Sequence, residues 1–450
     1  MPQYATPQPV GAANGGSGNV NVGQGGTGVT PVNPDARPGQ NEEPLDPDLI
    51  VNGMGGGGSA PPNAGGSGNT PEDDDDTEDD DDDTEPPVVV PPVVTPPPVV
   101  VTPPPVVVTP PPGNCNTPPP ASPLEGWASV AGRGVNTTTG GGNAPPVVVT
   151  TLAQLQNAVL GNNPAVIHVS GELSPGDIRP GSNKTIIGLC GAEIHGHLEI
   201  REVQNVIVRN ITIVGYGEGN CALDPGFDSA VGCSSGDDAV IIQRNAHHVW
   251  FDHCSVRDGT DGNLDISNAA DFVTISWTKF SYTPRTDNVG DDSTGAAGHR
   301  YSNLVGGSDN PNSAFDDANS LNVTWHHNWW ADNVVERQPR IRFGQNHLFN
   351  NYYSSATTNY CIRAGIQSAI LLEGNVFDGS RDPHEFNSPT DEGTADILLG
   401  AANQYINTTG NQQTGGGGPS FNDPPYDYRL DAAAAVRGAV TSAATGAGPH

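Results

Sequence analysis

Three of the chain's 18 lysines and arginines fall within six residues, in Val335-Glu336-Arg337-Gln338-Pro339-Arg340-Ile341-Arg342-Phe343-Gly344. Set against 51 aspartates and glutamates, that concentration of cations points to an anion being handled there. A guanidinium is a planar fork that matches a carboxylate. Upstream, Val249-Trp250-Phe251-Asp252-His253-Cys254 leads into Asp258-Gly259-Thr260-Asp261-Gly262-Asn263-Leu264-Asp265-Ile266. Asp261 and Asp265 are an even number of residues apart, which on an extended chain puts both carboxylates on one face. Like charges that close repel unless a cation sits between them, and hard oxygen ligands suit Ca2+. Carboxylates and an arginine cluster on a strand-rich scaffold imply a calcium-dependent site for an acidic sugar. The plainer alternatives are a solvated acidic loop and arginines paired with surface acids.

The elements that would position these groups are short. β-branched runs of four to eight residues recur at 166–169, 185–188, 206–213, 249–252, 273–277, 323–327, 347–351 and 370–375, each bounded by Gly, Asn, Asp or Ser. One short helix is expected over 152–159, from Leu152, Leu155 and Val159. The strands repeat at a fixed interval: 24 residues from His253 to Trp277, 23 from Asn328 to Asn351, and 24 from Asn351 to Asn375. The gap from Asn210 to His253 fits two such steps, and the gap from Trp277 to Asn328 fits two with an insertion. That period indicates an all-β solenoid, a parallel β-helix, rather than a β-sandwich, whose turn signals come every 8–12 residues. Asn suits the corners because it tolerates left-handed backbone and its amide can bond the adjacent turn.

Composition separates an appendage from this domain. Residues 1–124 carry 17 acids against Arg37 alone, and the rest carries 34 acids against 17 bases. Residues 1–123 read as a disordered, low-complexity tail, and 124–450 as the β-helix domain. The tail holds an acid run over 72–85, which self-repels and stays extended. Behind it, residues 86–112 repeat Val-Val-Val-Thr-Pro-Pro-Pro with Thr95, Thr102 and Thr109 in phase. Such a polyproline-type rod would span roughly 80 Å at ~3.1 Å per residue, as a stalk or a plain linker. No run approaches the ~20 apolar residues of a membrane helix. Met1-Pro2-Gln3-Tyr4-Ala5 lacks a secretory signal, so the expectation is either an internal protein or a true start upstream; the domain type favours the second, and a secreted or cell-surface location. Of six cysteines, Cys221 and Cys233 flank a Gly/Asp-rich loop and are the expected bridge. Cys190, Cys254 and Cys361 read as small buried core residues.

From about 124 to 440 the chain resembles the pectate lyases of polysaccharide lyase family 1, which are right-handed parallel β-helices. The resemblance rests on five ordered features. They are the opening Gly126-Trp127-Ala128-Ser129-Val130, the early rungs Ser182-Asn183-Lys184-Thr185-Ile186-Ile187-Gly188 and Asn205-Val206-Ile207-Val208-Arg209-Asn210-Ile211, the Trp250-Phe251-Asp252-His253 segment, Arg337-x-Pro339-x-x-Arg342, and the closing Pro424-Pro425-Tyr426-Asp427-Tyr428. Each is weak alone; in this order over some three hundred residues they are specific.

The resemblance implies β-elimination on polygalacturonate: loss of the C5 proton, expulsion of the C4 glycosidic oxygen, and a 4,5-unsaturated product. It implies Ca2+ held by Asp238, Asp261 and Asp265, with Asp237 as a fourth candidate. Gly236-Asp237-Asp238-Ala239-Val240-Ile241 is similar to the family's Gly-Asp-x-Ile, one residue out of step, which leaves Asp237 and Asp238 as alternatives. Arg337 is the implied base, awkward for a guanidinium and suggestive of an alkaline optimum. Arg342 would clamp the substrate carboxylate, with Pro339 bending the strand so that both arginines reach one groove; Arg340 reads as structural. The family commonly has a substrate-binding Lys before Leu-x-Gly-Ser. Here His299-Arg300-Tyr301-Ser302-Asn303-Leu304-Val305-Gly306-Gly307-Ser308-Asp309 offers Arg300 instead. Asp252 and His253 read as scaffold, and His299, His326 and His327 lack metal-ligand spacing. The expected partner is pectin or polygalacturonate, bound by a monomer, with no nucleic acid involved. A domain this acidic repels a polyanion at long range, so capture must depend on local arginines and calcium. Two other readings remain: a metal-independent pectin lyase acting on methyl esters, and a non-catalytic glycan-binding β-helix.

Overall fold

The computed structural model describes residues 117–217, 221–225, 227, 237–284 and 300–450. All of these lie within one unit, Pro96–His450; a second unit, Met1–Thr95, is outside the described residues. The expected disordered tail as far as residue 116, its acid run and stalk, and Cys115, Cys233 and His299 lie outside them too, so the expected Cys221–Cys233 bridge is not described.

The strands wind into a parallel β-helix. One sheet of ten takes a strand from each coil, running from Pro146–Val149 through Gln204–Arg209, His247–Asp252, Asp271–Ser276 and Val323–His326 to Asp396–Leu399. A 15-stranded sheet forms the other faces. Its two arms meet at the long strand Glu193–Arg201, whose first residues pair with Thr212–Val214 and whose last pair with Val240–Gln243.

Strand alternation builds the core. Val208, Phe251, Ile275, Trp325, Leu348 and Leu372 are in register from coil to coil. All six are fully buried, as inward positions of a period-two strand must be. On a second face Phe280, Trp330, Tyr353, Phe377 and Tyr405 stack with ring centroids 5.5, 4.7, 4.4 and 5.3 Å apart, distances at which aromatic rings attract beyond their area burial.

At the corners the two properties expected of Asn fall on different residues. Asn210 is left-handed, with φ 54°, and so are His253, Trp277, His327 and Asn350. Asn328, Asn351 and Asn375 follow the left-handed position and form an amide ladder instead. Asn351 Oδ1 accepts from Asn328 N at 2.9 Å, and Asn375 Oδ1 accepts from Asn351 N at 3.0 Å. Their Nδ2 groups donate back to Ile275, Trp325 and Leu348 carbonyls. The expected strand over 206–213 is therefore two, Gln204–Arg209 and Thr212–Val214, separated by the Asn210 corner.

The ends and outer faces are covered. The expected helix spans Leu152–Ala158, with Thr151 accepting from Gln154 N and Leu155 fully buried. The opening Gly126-Trp127 lies over the ten-stranded sheet, where Trp127 N and Ala128 N donate to Thr324 Oγ1 and Thr274 Oγ1, both at 3.0 Å. Gly126 has φ 92°, and a Cβ there would meet Thr324 Cβ at 2.6 Å, so no side chain fits. Tyr426 and Tyr428 of the closing segment bond Thr324 and Glu373 on the same sheet. Asp252 is buried there, accepting from Ser276 Oγ at 2.7 Å and paired with His253 at 2.9 Å. The Trp-x-Asp-His segment thus fastens the scaffold. Cys254 and Cys361 are free and buried, as expected. Cys190 is not: it is disulfide-bonded and partly exposed, because it sits on the turn after the Lys184–Gly188 strand rather than on an inward strand position.

Candidate active site

The acids and arginines meet on one arm of the 15-stranded sheet. Registers align Asp265 with Ile241 on one side, and Leu304, Arg340, Arg363 and Glu385 follow on successive coils. Neighbouring strands lie about 4.8 Å apart, so these side chains form an outward column. Leu264, Ile266 and Ile341 between them point inward and are fully buried.

Asp265 is held by Leu304 N, which donates to Oδ1 at 2.8 Å. Burial pushes its carboxyl up to about 7, with Arg337 pulling down and Asp261 pushing up. Burial drives Asp238 well above the ordinary carboxylate range, and repulsion from Asp265, Asp261 and Asp237 adds to it. Asp238 Oδ1 is buried with no hydrogen-bond partner among the described residues. A Cβ at Gly262 would lie 2.6 Å from Asp238 Oδ1 and 3.3 Å from Asp265 Oδ1. Two carboxylate oxygens therefore converge beside Gly262, close enough that no side chain would fit there.

Asp261 is not on the strand, which runs Leu264–Ile266. The expected same-face spacing along an extended chain does not operate; the preceding turn presents Asp261, whose N–H donates to Asp237 O at 3.4 Å. Asp237 O accepts from Thr260 N as well, and Asp237 N donates to Asp224 Oδ2 at 2.8 Å. The backbone of Asp237 shapes the turn, while the side chain of Asp238 converges with Asp265. Converging hard carboxylate oxygens, one of them buried with no hydrogen-bond partner among the described residues, fit a Ca2+ ion. A separate group, Glu172, Glu193 and His195, brings possible ligand atoms within 4.8 Å of one another. Arg257 lies 3.3 Å from Glu193 Oε1 and already supplies positive charge there.

Arg337 reaches the acids from two coils on. Its φ is 57°, left-handed, and the Gln338–Pro339 peptide that follows is cis. The strand Arg340–Ile341 begins only after Pro339. Arg340 and Arg342 share a face by ordinary alternation, and the backbone turn brings in Arg337. Asn303 holds this turn: its N–H donates to Arg337 O at 2.7 Å, its carbonyl accepts from Arg340 N at 3.0 Å, and its Nδ2 reaches Leu264 O at 2.9 Å. Arg337 lies over the Tyr301 ring, 4.4 Å from its centroid. Burial disfavours the Arg337 cation, but Tyr360, Asp261, Asp265 and Tyr301 outweigh it and hold the group above its ordinary value.

Arg342 is almost fully enclosed. Its Nη1 donates to Gly306 O at 2.8 Å and its Nε to Asp309 Oδ1. Burial lowers its pKa to about 10. Arg340 Nη2 donates to Asn387 Oδ1 at 3.1 Å, so this residue, read as structural, stands in the outward column between Leu304 and Arg363. Arg300 is fixed through its carbonyl, which accepts from Val335 N at 3.0 Å. Tyr301, Tyr360 and Arg363 escaped sequence reasoning; Arg363 lies 3.6 Å from the Tyr360 centroid. Their one signal was a place a coil before or after the Arg337 segment. His326 lies on the other sheet, stacked on Phe349, and His327 at the corner after it, stacked on Trp277.

The site thus sets convergent carboxylates and clustered arginines on one outward face of a parallel β-helix, and the comparisons give the class of protein, a polysaccharide lyase. The chain matches the pectate lyase family over residues 115–444. Pectate lyase A of Aspergillus niger is 32% identical over 330 residues, covering 71% of this chain and 86% of that protein. The pectate trisaccharide-lyase of Thermotoga sp. (strain RQ2) is 32% identical over 246 residues, and the chain spans only 56% of its length. A solved pectate lyase from Bacillus sp. N165, in complex with trigalacturonate, superposes with a TM-score of 0.53 at 24% identity, over 73% of this chain and 99% of that one; this likeness shows the fold. The chain belongs to the pectate lyase family.

Proposed function

We propose that the chain is a calcium-dependent pectate lyase that cleaves polygalacturonate by β-elimination. The observation that carries the reading is the convergence of the Asp238 and Asp265 carboxylates beside Gly262, with the Arg337 charge acting on both. Asp238, Asp265 and Asp261 would hold the ion, with Asp237 contributing charge and shaping the turn. Bound there, Ca2+ would supply a Lewis acid that withdraws charge from the substrate carboxylate.

Arg337 is placed to take the C5 proton while the bond from C4 to the glycosidic oxygen breaks and C4=C5 forms; the departing oxygen takes a proton from water. A cation that neutralises Asp238, Asp261 and Asp265 would offset the carboxylate charges that hold the Arg337 cation, while its burial remains. The Arg337 cation is then easier to deprotonate, and an alkaline optimum follows. Arg342 would clamp a uronate carboxylate through its fork, and Arg300 is the remaining candidate for a neighbouring sugar. No helix among the described residues is long and apolar enough to cross a membrane. The substrate is a cell-wall polymer, so the site of action is secreted or at the cell surface. Residues 1–123 would serve as a tail to the domain over 124–450, and the enzyme as a monomer.

Ultraviolet absorbance of the unsaturated product on polygalacturonate, with Ca2+ and with chelator, tests the reading. A calcium-dependent rise supports it. A rise on methyl-esterified pectin alone, unaffected by chelator, would replace it with a metal-independent pectin lyase.

A further inference from the structure

The solenoid begins on a strand with one open edge. Pro146–Val149 is the terminal member of the ten-stranded sheet and pairs with Ala165–Val169 on one side only among the described residues. Val147 stands in the inward column of Ile167, Ile186 and Val208. Those three are fully buried, whereas Val147 is 48% exposed. The helix Leu152–Ala158 packs against this strand and Val149 is buried, but Val147 and Val148 stay open. The core column thus stops at an uncovered valine beside an unpaired strand edge.

The sequence of that strand recurs in the tail. Pro145-Pro146-Val147-Val148-Val149-Thr150 is repeated without change as Pro97-Pro98-Val99-Val100-Val101-Thr102 and as Pro104-Pro105-Val106-Val107-Val108-Thr109. Both of those copies lie outside the described residues; the third carries a strand of this sheet. β-branched residues suit a strand, and three consecutive valines set two side chains inward and one outward in either chain direction. The chain is long enough to reach. Arg209 Nη2 donates to the Pro119 and Pro120 carbonyls at 3.1 and 2.7 Å, and Arg209 stands in the column of Val148, His168 and Ile187. A strand added beyond Pro146–Val149 would lie four strand spacings from Arg209, about 19 Å. Ten residues from Thr109 to Pro119 span up to about 33 Å. Past Pro119 the chain crosses the outer face of the sheet, where Trp127 and Ala128 bond Thr324 and Thr274. Successive coils close on the inner side, so a parallel addition would need a crossover of the opposite, disfavoured hand. An antiparallel addition carries no such constraint.

We propose that the last tail repeat, residues 106–109, adds to the open edge of Pro146–Val149 as an antiparallel strand of the same molecule, covering Val147 and tying the tail to the first coil of the solenoid. Main-chain hydrogen bonds to an exposed edge supply the attraction. Val106 and Val108 extend the inward columns that now end at Val149 and Val147, which adds apolar burial. Pro105 and Pro110 cannot donate to a ladder, so they hold the added strand to four residues and blunt the new edge. An apolar strand edge left open would otherwise invite pairing with other chains.

Hydrogen–deuterium exchange on the full chain, beside light scattering, tests this. Wild type is compared with Val147→Asp and with a tail variant carrying Val99→Ser, Val101→Ser, Val106→Ser and Val108→Ser. Val147 is half exposed, so an aspartate there can face solvent without entering the core. In wild type the amides of residues 106–109 are expected to exchange at least about tenfold more slowly than unpaired chain of the same sequence. Both variants should lose that protection, and the mass should remain that of one chain throughout. Exchange of residues 106–109 at the unpaired rate in wild type would overturn the proposal and leave the repeats as a plain stalk. Protection that rises with protein concentration, together with a mass of two chains, would also overturn it, because the repeat would then lie on a second copy.

Discussion

Asp238 packs directly against Gly262: a Cβ at residue 262 would come within 2.6 Å of Asp238 Oδ1, so only glycine fits. That oxygen is buried and has no hydrogen-bond partner among the described residues. A buried carboxylate oxygen without a partner is costly, so the pair makes sense as a cradle for a cation. Gly262→Ala is expected to lower calcium affinity by roughly tenfold or more, since a methyl group would block a ligand oxygen of the ion. Calcium titration calorimetry beside circular dichroism checks this; unchanged affinity in a folded variant would remove the cradle.

Asp265 links the site to stability. Its folded pKa is raised from 3.8 to about 7. The favourable contribution of the protonated group is full below pH ~3.8 and is lost as pH rises through ~7, because the native state holds a proton that the unfolded state has released. In chelator, the Tm of the wild type should therefore fall between pH 5 and pH 8 by more than that of Asp265→Asn, and added calcium should close the gap. Parallel Tm profiles for the two proteins would show that Asp265 is not strained by its burial.

Arg337→Ala should reduce kcat by about two to four orders of magnitude, the range for a positioned general base. Trigalacturonate affinity should stay within about threefold, since Arg342 is left in place. Equal losses in binding and turnover would recast Arg337 as a binding residue.

The amide ladder sets a stability expectation apart from the chemistry. Asn351→Ala leaves Asn328 N without its partner and removes the side-chain donor to Trp325 O inside the solenoid. An orphaned buried donor costs about 1–3 kcal/mol and a lost hydrogen bond about 1 kcal/mol, so a loss of about 2–4 kcal/mol is expected by urea unfolding. A loss under about 1 kcal/mol would mean that the ladder relaxes or takes in water.

The solenoid could be read from sequence through one sheet only. Seven of the eight β-branched runs coincide with strands of the ten-stranded sheet, whose members at 184–188, 247–252, 271–276 and 345–349 are long enough to show a pattern. The eighth, 206–213, straddles a corner, because the β-branched runs Val206-Ile207-Val208 and Ile211-Thr212-Ile213 on either side hide the left-handed Asn210. The sheet that carries the cleft has strands as short as Leu304–Val305 and Arg340–Ile341. Two residues cannot display alternation, so its geometry was invisible. Asp261, Asp265, Arg337 and Arg342 stand out in the sequence because charge clusters locally. Tyr301, Tyr360 and Arg363 do not, because each joins the Arg337 segment from another part of the winding, and only coil-to-coil register reveals the contact. Asn303, which fastens three segments of the cleft, looks in sequence like any loop asparagine.

The most direct test of the account combines the metal and the base in one assay. Absorbance of the unsaturated product is followed on polygalacturonate at alkaline pH, for wild type and Arg337→Ala, each with Ca2+ and with chelator. The account expects a rise only for wild type with Ca2+, abolished by chelator and restored by adding the ion back. A rise that persists in chelator would contradict the carboxylate cradle as the source of activity, and an undiminished rise from Arg337→Ala would contradict the assignment of the base.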